Sequence, residues 1–159
     1  MERVIALVLL AFSTFVSNGR EVKVYEKNSS YREDVICTVK DSKIYKKESF
    51  YRDAVLYTIK GYTIYSGDST YSRDAICTVK DGKVYEGIST FSKDILFTIK
   101  DSKIYKGFST MSFDILANIR NGKVYSKDST FSGDILFNMD GNLTLVEFVA
   151  VWFTVLYNY

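Results

Sequence analysis

Apolar and polar side chains alternate along this chain in a pattern that repeats every twenty residues. Written in rows from Glu21, the sequence gives six rows without insertion or deletion, such as DGKVYEGISTFSKDILFTIK for residues 81–100 and DSKIYKGFSTMSFDILANIR for residues 101–120. Positions 1 to 20 are counted within each row. A fixed period of this kind indicates a repeat architecture in which each unit buries an apolar face against its neighbours.

Each row predicts two short β-strands. Residues 95–99 close row four with β-branched and aromatic side chains, and residues 103–105 open row five. The two residues between such runs, for example Asp-Gly or Asn-Gly, favour a tight antiparallel hairpin. The predicted cross-strand pairs are Ile99 with Ile104, Thr98 with Tyr105, and Phe97 with Lys106. Strict alternation places Ile95, Phe97, Ile99 and Ile104 on one face and Leu96, Thr98 and Tyr105 on the other.

The count of strands suggests how the repeats are arranged. Five complete hairpins leave the first strand, residues 22–25, and the last, residues 134–139, without partners. Pairing these two would close a ring and remove both exposed edges, and an open solenoid with capped ends is the alternative. The linkers are expected to form turns in which the side chain at position 11 is a wedge between units. These residues are Tyr31, Tyr51, Tyr71, Phe91, Met111 and Phe131.

The repeat stops at the C-terminus. Thr144 and Glu147 form a capping box ahead of an apolar run, which predicts a helix from about residue 145 to 158. Because this helix is apolar nearly all round, it must be buried, and we expect it to plug or cover the ring. The alternative is an alternating final strand of an outer-membrane barrel. Membrane strands need about 9–11 residues, which disfavours that interpretation for twenty-residue units.

The first nineteen residues predict export. Arg3 precedes an apolar run over residues 4–12, and the small residues Ser17 and Gly19 follow it. This layout is typical of a cleavable secretory signal, with a buried N-terminal helix as the alternative. The predicted organisation is a signal peptide over 1–19, a six-repeat β-hairpin domain over 20–143 and a C-terminal apolar helix over 144–159.

Composition narrows the chemistry. The 159 residues are 47% hydrophobic and 25% charged, with a net charge of +2, which does not indicate a nucleic-acid partner. The chain has no His, so the commonest acid/base group near neutral pH and the commonest zinc ligand are absent. The sequence therefore predicts no enzymatic activity and no cofactor.

The repeated residues resemble a known family. The Val/Ile-Tyr openings, the Ile-Leu-x-Thr-Ile closings, the Asp/Asn-Gly turns and the signal-like start are similar to the bacterial β-flower repeat proteins, particularly the group called 5-fold β-flower. The similarity covers most of residues 21–143. It implies a small exported bacterial protein whose hairpins surround a pseudo-rotation axis, with no biochemical activity to transfer. The expected fold class is all-β, a closed ring of tandem 20-residue hairpins with one buried apolar helix.

Three sets of repeated residues are candidate sites. Tyr at position 5 could form a belt that stacks on sugar rings or holds a peptide, although packing between hairpins is the simpler interpretation. This belt is Tyr25, Tyr45, Tyr65, Tyr85, Tyr105 and Tyr125. Ser at position 9 and Asp at position 14, which row two replaces with Ala54, could ligate cations or could fix their own turns, and we favour the turns. Cys37 and Cys77 share position 17 and are expected to be buried thiols rather than a disulfide.

These observations predict an exported, non-enzymatic scaffold or interaction module that is secreted or periplasmic. A module that binds glycans or the cell envelope through the Tyr belt is the second hypothesis. The expected partner is a glycan or a protein at the cell envelope, and the chain is not expected to be an integral membrane protein. An outer-membrane barrel and a hydrolase with a carboxylate pair are less favoured.

Overall fold

A computed structural model describes residues 20–157 of the chain. These described residues form twelve short strands and one α-helix. In chain order these are β1 Glu21–Glu26, β2 Val35–Lys40, β3 Lys43–Lys46, β4 Val55–Lys60, β5 Thr63–Ser66, β6 Ala75–Lys80, β7 Lys83–Glu86, β8 Ile95–Lys100, β9 Lys103–Lys106, β10 Ile115–Arg120, β11 Lys123–Ser126, β12 Ile135–Met139 and α1 Leu145–Tyr157. One turn of 3-10 helix precedes each closing strand, beginning with Arg32–Asp34 and ending with Ser132–Asp134. The predicted signal segment, residues 1–19, lies outside the described residues.

The twelve strands form a closed antiparallel barrel. Each strand pairs with its neighbours in the chain, and β1 pairs with β12 through Val24 and Met139. The predicted ring closure is confirmed, and the open solenoid is wrong. The register within the hairpins is also confirmed, since Ile99 pairs with Ile104 in the β8–β9 hairpin.

A two-residue turn joins the two strands of each hairpin, and these turns all lie at one end of the barrel, which we call the turn rim. Asp101 and Ser102 have φ of 51° and 59°, as a type I′ turn requires. In the preceding hairpin Gly82 has φ of 71°, and a Cβ there would lie 2.6 Å from the carbonyl oxygen of Ile99. At the other end, which we call the loop rim, positions 7 to 14 of each row connect one hairpin to the next.

A β-bulge corrects the predicted assignment of faces. Tyr85 pairs with Ile95, whereas its neighbour Val84 pairs with Phe97. Since adjacent residues of β7 point to opposite faces, Ile95 and Phe97 do so too, although they are two residues apart. Strict alternation was therefore wrong for Ile95. The same register shift occurs in the other five rows, so position 15 joins the outer face with the Tyr of position 5.

The helix α1 fills the lumen, as predicted. Phe148, Val149 and Val151 are buried in one core cluster with the inward side chains of the strands. The ring of Phe137 lies 6.3 Å from that of Phe148 and 6.4 Å from that of Trp152. The alternative of a final strand is wrong. Among residues 20–157, no helix is long and apolar enough to cross a membrane.

The capping box fixes where the helix enters. The backbone N–H of Thr144 donates to Glu147 at 2.8 Å, and the N–H of Glu147 donates to the Thr144 hydroxyl at 3.2 Å. Glu147 also forms a 2.9 Å ion pair with Arg20, which immediately precedes β1. Because β1 begins at the turn rim, α1 enters the barrel there, and its last residues, including the exposed Leu156 and Tyr157, lie toward the loop rim.

Candidate functional site

Hydrogen bonds hold the loops of the loop rim in one conformation. The hydroxyl of Ser29 donates to the Asp34 carboxylate at 2.5 Å and accepts a bond from the backbone N–H of Tyr31. The same Ser–Asp bond occurs in rows three to six. The interpretation that these side chains fix their own turns is confirmed. No group of three or more Cys, Asp or Glu within residues 20–157 is placed to hold a metal ion.

Position 18 supplies a second set of bonds, which the sequence reasoning missed. The buried hydroxyl of Thr98 donates to the carbonyl of Gly107 at 2.8 Å, and rows one to three have the same bond. In row six, Asn138 replaces Thr and donates to the carbonyls of Lys27 and Ser29. Each loop is thus bonded to the wall of the barrel near its start, and in every row except row two the Ser–Asp bond also spans the loop tip.

Ion pairs tie neighbouring rows together. Lys43 at position 3 pairs with Asp68 at position 8 of the next row, at 2.7 Å, and Lys103 pairs with Asp128 in the same way at 2.9 Å. The hydrogen bond from Lys43 is the main reason that the pKa of Asp68 lies below its usual value. These side chains are between 26% and 54% exposed, so solvent screens each pair and its contribution to stability is small.

The side chains at position 11 are exposed and are not wedges between units. Their exposed fractions range from 58% for Met111 to 78% for Tyr51. The physical reason is local: position 11 caps the 3-10 turn in an extended conformation at the tip of the loop, in row two as in row one. These residues form what we call the rim crown: Tyr31, Tyr51, Tyr71, Phe91, Met111 and Phe131.

Rows four and five add further exposed apolar side chains beside the rim crown. Phe108 and Phe113 are 77% and 80% exposed, and Ile88 is also exposed. We call the resulting patch the apolar half of the loop rim: Ile88, Phe91, Phe108, Met111, Phe113 and Phe131. Leu96 and Leu116 are partly exposed in the same rows, whereas their counterpart Ile36 in row one is buried in the core.

Rows one to three carry Tyr and Arg at the corresponding loop tips. Arg32 follows Tyr31, Arg52 follows Tyr51, and Arg73 lies over the ring of Tyr71 at 5.5 Å. The three Arg side chains are between 82% and 85% exposed. We call this part the Tyr–Arg half of the loop rim. The two halves are contiguous around the barrel, because strand order follows chain order.

The Tyr belt predicted as a binding site lies on the outer wall, and the structure does not bring its six members together. Tyr85 and Tyr105 are buried, while the rest are half-buried: Tyr25, Tyr45, Tyr65 and Tyr125. Tyr45 packs edge-on against Phe50, with ring centroids 5.2 Å apart. Ligand binding by the belt remains a prediction.

Tyr25 lines a groove of about 390 Å³ between the first two loops, together with Phe50. The edge of this groove is charged. The Glu48 carboxylate accepts a hydrogen bond from Lys23 at 2.6 Å and also pairs with Arg32. The hydrogen bond from Lys23 is the largest cause of the lowered pKa of Glu48, and the same bond raises the pKa of Lys23. Burial, followed by the nearby Asp140, raises the pKa of Tyr25, so its hydroxyl stays protonated.

Cys37 and Cys77 are free, buried thiols, as expected. Burial raises the pKa of Cys77 to about 12 and that of Cys37 further. Since the thiolate is the reactive form, neither side chain has the chemistry of a nucleophile.

The fold defines a class of protein: a closed barrel of six tandem hairpins around a central helix. Residues 24–152 match the family described as 6-fold beta flower protein, and the chain belongs to that family. The resemblance to β-flower proteins is thus confirmed, with six units. No curated protein matches the chain. An X-ray structure of an Arabidopsis thaliana protein is similar at 13% identity and a TM-score of 0.44, covering 88% of this chain and 91% of that one, and this likeness carries no functional argument.

Proposed function

We propose that this chain is an exported, non-enzymatic interaction module that binds its partner through the loop rim. The observation that supports the proposal is the rim crown, in which all six rows expose an apolar side chain at the same position. Large exposed apolar patches on a folded protein mark surfaces where another molecule binds.

The loops have the rigidity that such a surface needs. The Ser–Asp bond orders one side of the tip, and the bond from position 18, such as Thr98 to Gly107, holds the other. A surface fixed before binding loses little conformational entropy when its partner arrives. The absence of His from the sequence and the unreactive buried thiols favour binding over catalysis.

Photocrosslinking in intact cells tests this proposal. A photoreactive Phe analogue at Phe131 on the loop rim is expected to form adducts, whereas the same analogue at Tyr62 is not. Tyr62 is a matched control because it is 72% exposed and lies in a tight turn at the opposite rim. Equal labelling from the two positions, or none from Phe131, would refute binding through the loop rim.

Export is tested separately, by the N-terminus of the protein recovered outside the cytoplasm. Removal of a signal peptide over 1–19 predicts that the mature chain starts near Arg20. A chain that is recovered outside the cytoplasm and still begins at Met1 would contradict cleavage.

A glycan-binding module is the second candidate, and the groove at Tyr25 favours it. An aromatic pair with charged groups beside it, as Tyr25 and Phe50 have, can stack on a sugar ring and bond to its hydroxyls. Glycan-array binding that Tyr25→Ala and Phe50→Ala abolish, and that Tyr125→Ala leaves unchanged, would support it. Binding that survives both groove variants would count against it.

A further inference from the structure

We infer that the partner of the loop rim is a lipid bilayer with anionic headgroups. The apolar half inserts below the headgroups, and the Tyr–Arg half lies at their level. The inference rests on the proposed function and specifies its partner.

The arrangement of the rim crown fits a flat partner. The pairing register is the same in successive hairpins, so residues at one row position lie at one height along the barrel. Tyr31, Phe91 and the other four members therefore project around a single rim. A bilayer surface is a plane and can contact all six, and a tilt of the barrel axis toward the apolar half places that half deeper. The exposed end of α1, with Leu156 and Tyr157, lies toward the same rim.

The residue types divide as an interface requires. In rows four to six, Phe108 and Phe113 are exposed, and Lys93 is the cation of the loop tips at positions 10 to 13. In rows one to three, Tyr takes the crown position and Arg accompanies it. Phe, Ile and Met favour the hydrocarbon, while Tyr and Arg favour the headgroup layer, where an amphipathic ring and a long charged side chain reach both phases.

The exposed Arg side chains of the Tyr–Arg half complement anionic headgroups. The three side chains are 82% to 85% exposed, whereas Glu48 and Asp68 beside them are 19% and 26% exposed. The guanidinium of Arg52 lies 2.9 Å from Asp68, and Arg32 pairs with Glu48. Exposed pairs of this kind are weak, so each Arg can bond instead to a lipid phosphate, whose geometry suits the planar guanidinium.

Vesicle sedimentation tests the inference on the purified chain, with the same N-terminus in every variant. The probes are vesicles of phosphatidylcholine alone and of phosphatidylcholine with about a third phosphatidylglycerol. We expect wild type and Tyr62→Ser to sediment with the anionic vesicles. The double variant Phe108→Ser with Phe113→Ser is expected to lower the partition coefficient at least about tenfold, because two exposed rings no longer leave water.

A second variant isolates the charge. Arg32→Gln with Arg52→Gln and Arg73→Gln is expected to weaken binding to anionic vesicles and to leave binding to neutral vesicles unchanged. Raised salt should have the same selective effect on wild type. Because all the replaced side chains are exposed, circular dichroism should show unchanged folding.

Three results would overturn the inference: no sedimentation of wild type, equal sedimentation of the Phe108/Phe113 variant, or a solution dimer that this variant disperses while vesicles bind neither form. The last result would assign the loop rim to a second copy of the chain. Photocrosslinks to protein from Phe131 without vesicle binding would leave the proposed function standing and remove the lipid. The absence of both would remove both.

Discussion

Replacing Ala54 with Asp is expected to stabilise the protein, because row two is the row whose loop lacks the carboxylate at position 14. Ser49 occupies position 9 there, as Ser does in every other row. The turn itself is already formed, since the N–H of Ala54 donates to the carbonyl of Tyr51 at 3.0 Å, as the N–H of Asp94 does to Phe91 at 2.9 Å. The new carboxylate would therefore arrive where the Ser49 hydroxyl can donate to it.

The bond that Ala54→Asp would add is the Ser–Asp bond already present in the other five rows. A hydrogen bond to a charged group contributes about 1.5–3 kcal/mol to stability, and partial exposure of position 14 reduces this to about 1 kcal/mol. For a chain of this size, a gain of about 1 kcal/mol raises Tm by about 3 °C. Urea denaturation measures the change directly, as a higher midpoint at an unchanged slope.

A double-mutant cycle supplies the control. Ser49→Ala should remove most of the gain in the Ala54→Asp background and change little in the wild-type protein. The converse variant, Asp94→Ala, should lose a similar amount in row four. A neutral or destabilising effect of Ala54→Asp, or a gain that persists with Ala at position 49, would contradict a stabilising bond from Ser49 to the new carboxylate.

Three further predictions concern single buried groups. Thr98→Val should lower the free energy of unfolding by about 1–2 kcal/mol, because it removes the hydrogen bond to the Gly107 carbonyl. The control Thr70→Val, at an exposed position, should have almost no effect, and a cost at Thr98 no larger than that at Thr70 would contradict the prediction. Cys77, whose pKa burial raises to about 12, should resist iodoacetamide at pH 8 and react once the chain is unfolded, and rapid labelling of the folded protein would show that the thiol is accessible. Trp152→Phe should change the free energy of unfolding by no more than about 1 kcal/mol, since the lost packing is offset by removal of a buried Nε1–H that has no hydrogen-bond partner. A loss of about 3 kcal/mol or more, as large-to-small core substitutions cause, would show that the Nε1–H does have a partner.

The hairpin ring could be predicted because its signals are local. The two-residue turns fix the register of each hairpin, and the capping box at Thr144 and Glu147 fixes the start of α1. An odd strand at each end then leaves closure as the arrangement without exposed edges. Each of these steps needs only neighbouring residues and the cost of unpaired backbone groups.

The surface could not be predicted in the same way. Strict alternation predicts that Ile95 and Phe97 lie on the same face of the sheet, but the bulge puts them on opposite faces. The bulge depends on how the preceding 3-10 turn meets the strand, which cannot be predicted from the strand residues alone. The same turn decides that Phe91 is exposed, although an aromatic residue between polar ones is typical of a wedge. The sequence does contain a signal for the ion pairs between rows. Lys43 at position 3 precedes its partner Asp68 by twenty-five residues, and where Thr63 replaces this Lys, the apolar Ile88 stands at the position of the Asp.

The barrel encloses an apolar helix, and Trp152 on that helix reports directly on whether it is enclosed. It is the chain's single Trp and is 3% exposed within the lumen. We predict blue-shifted fluorescence that acrylamide barely quenches in the folded protein, with a red shift and strong quenching after unfolding in urea. Emission and quenching in buffer that already match those of the unfolded chain would contradict the structure on which the loop rim and its partner are argued.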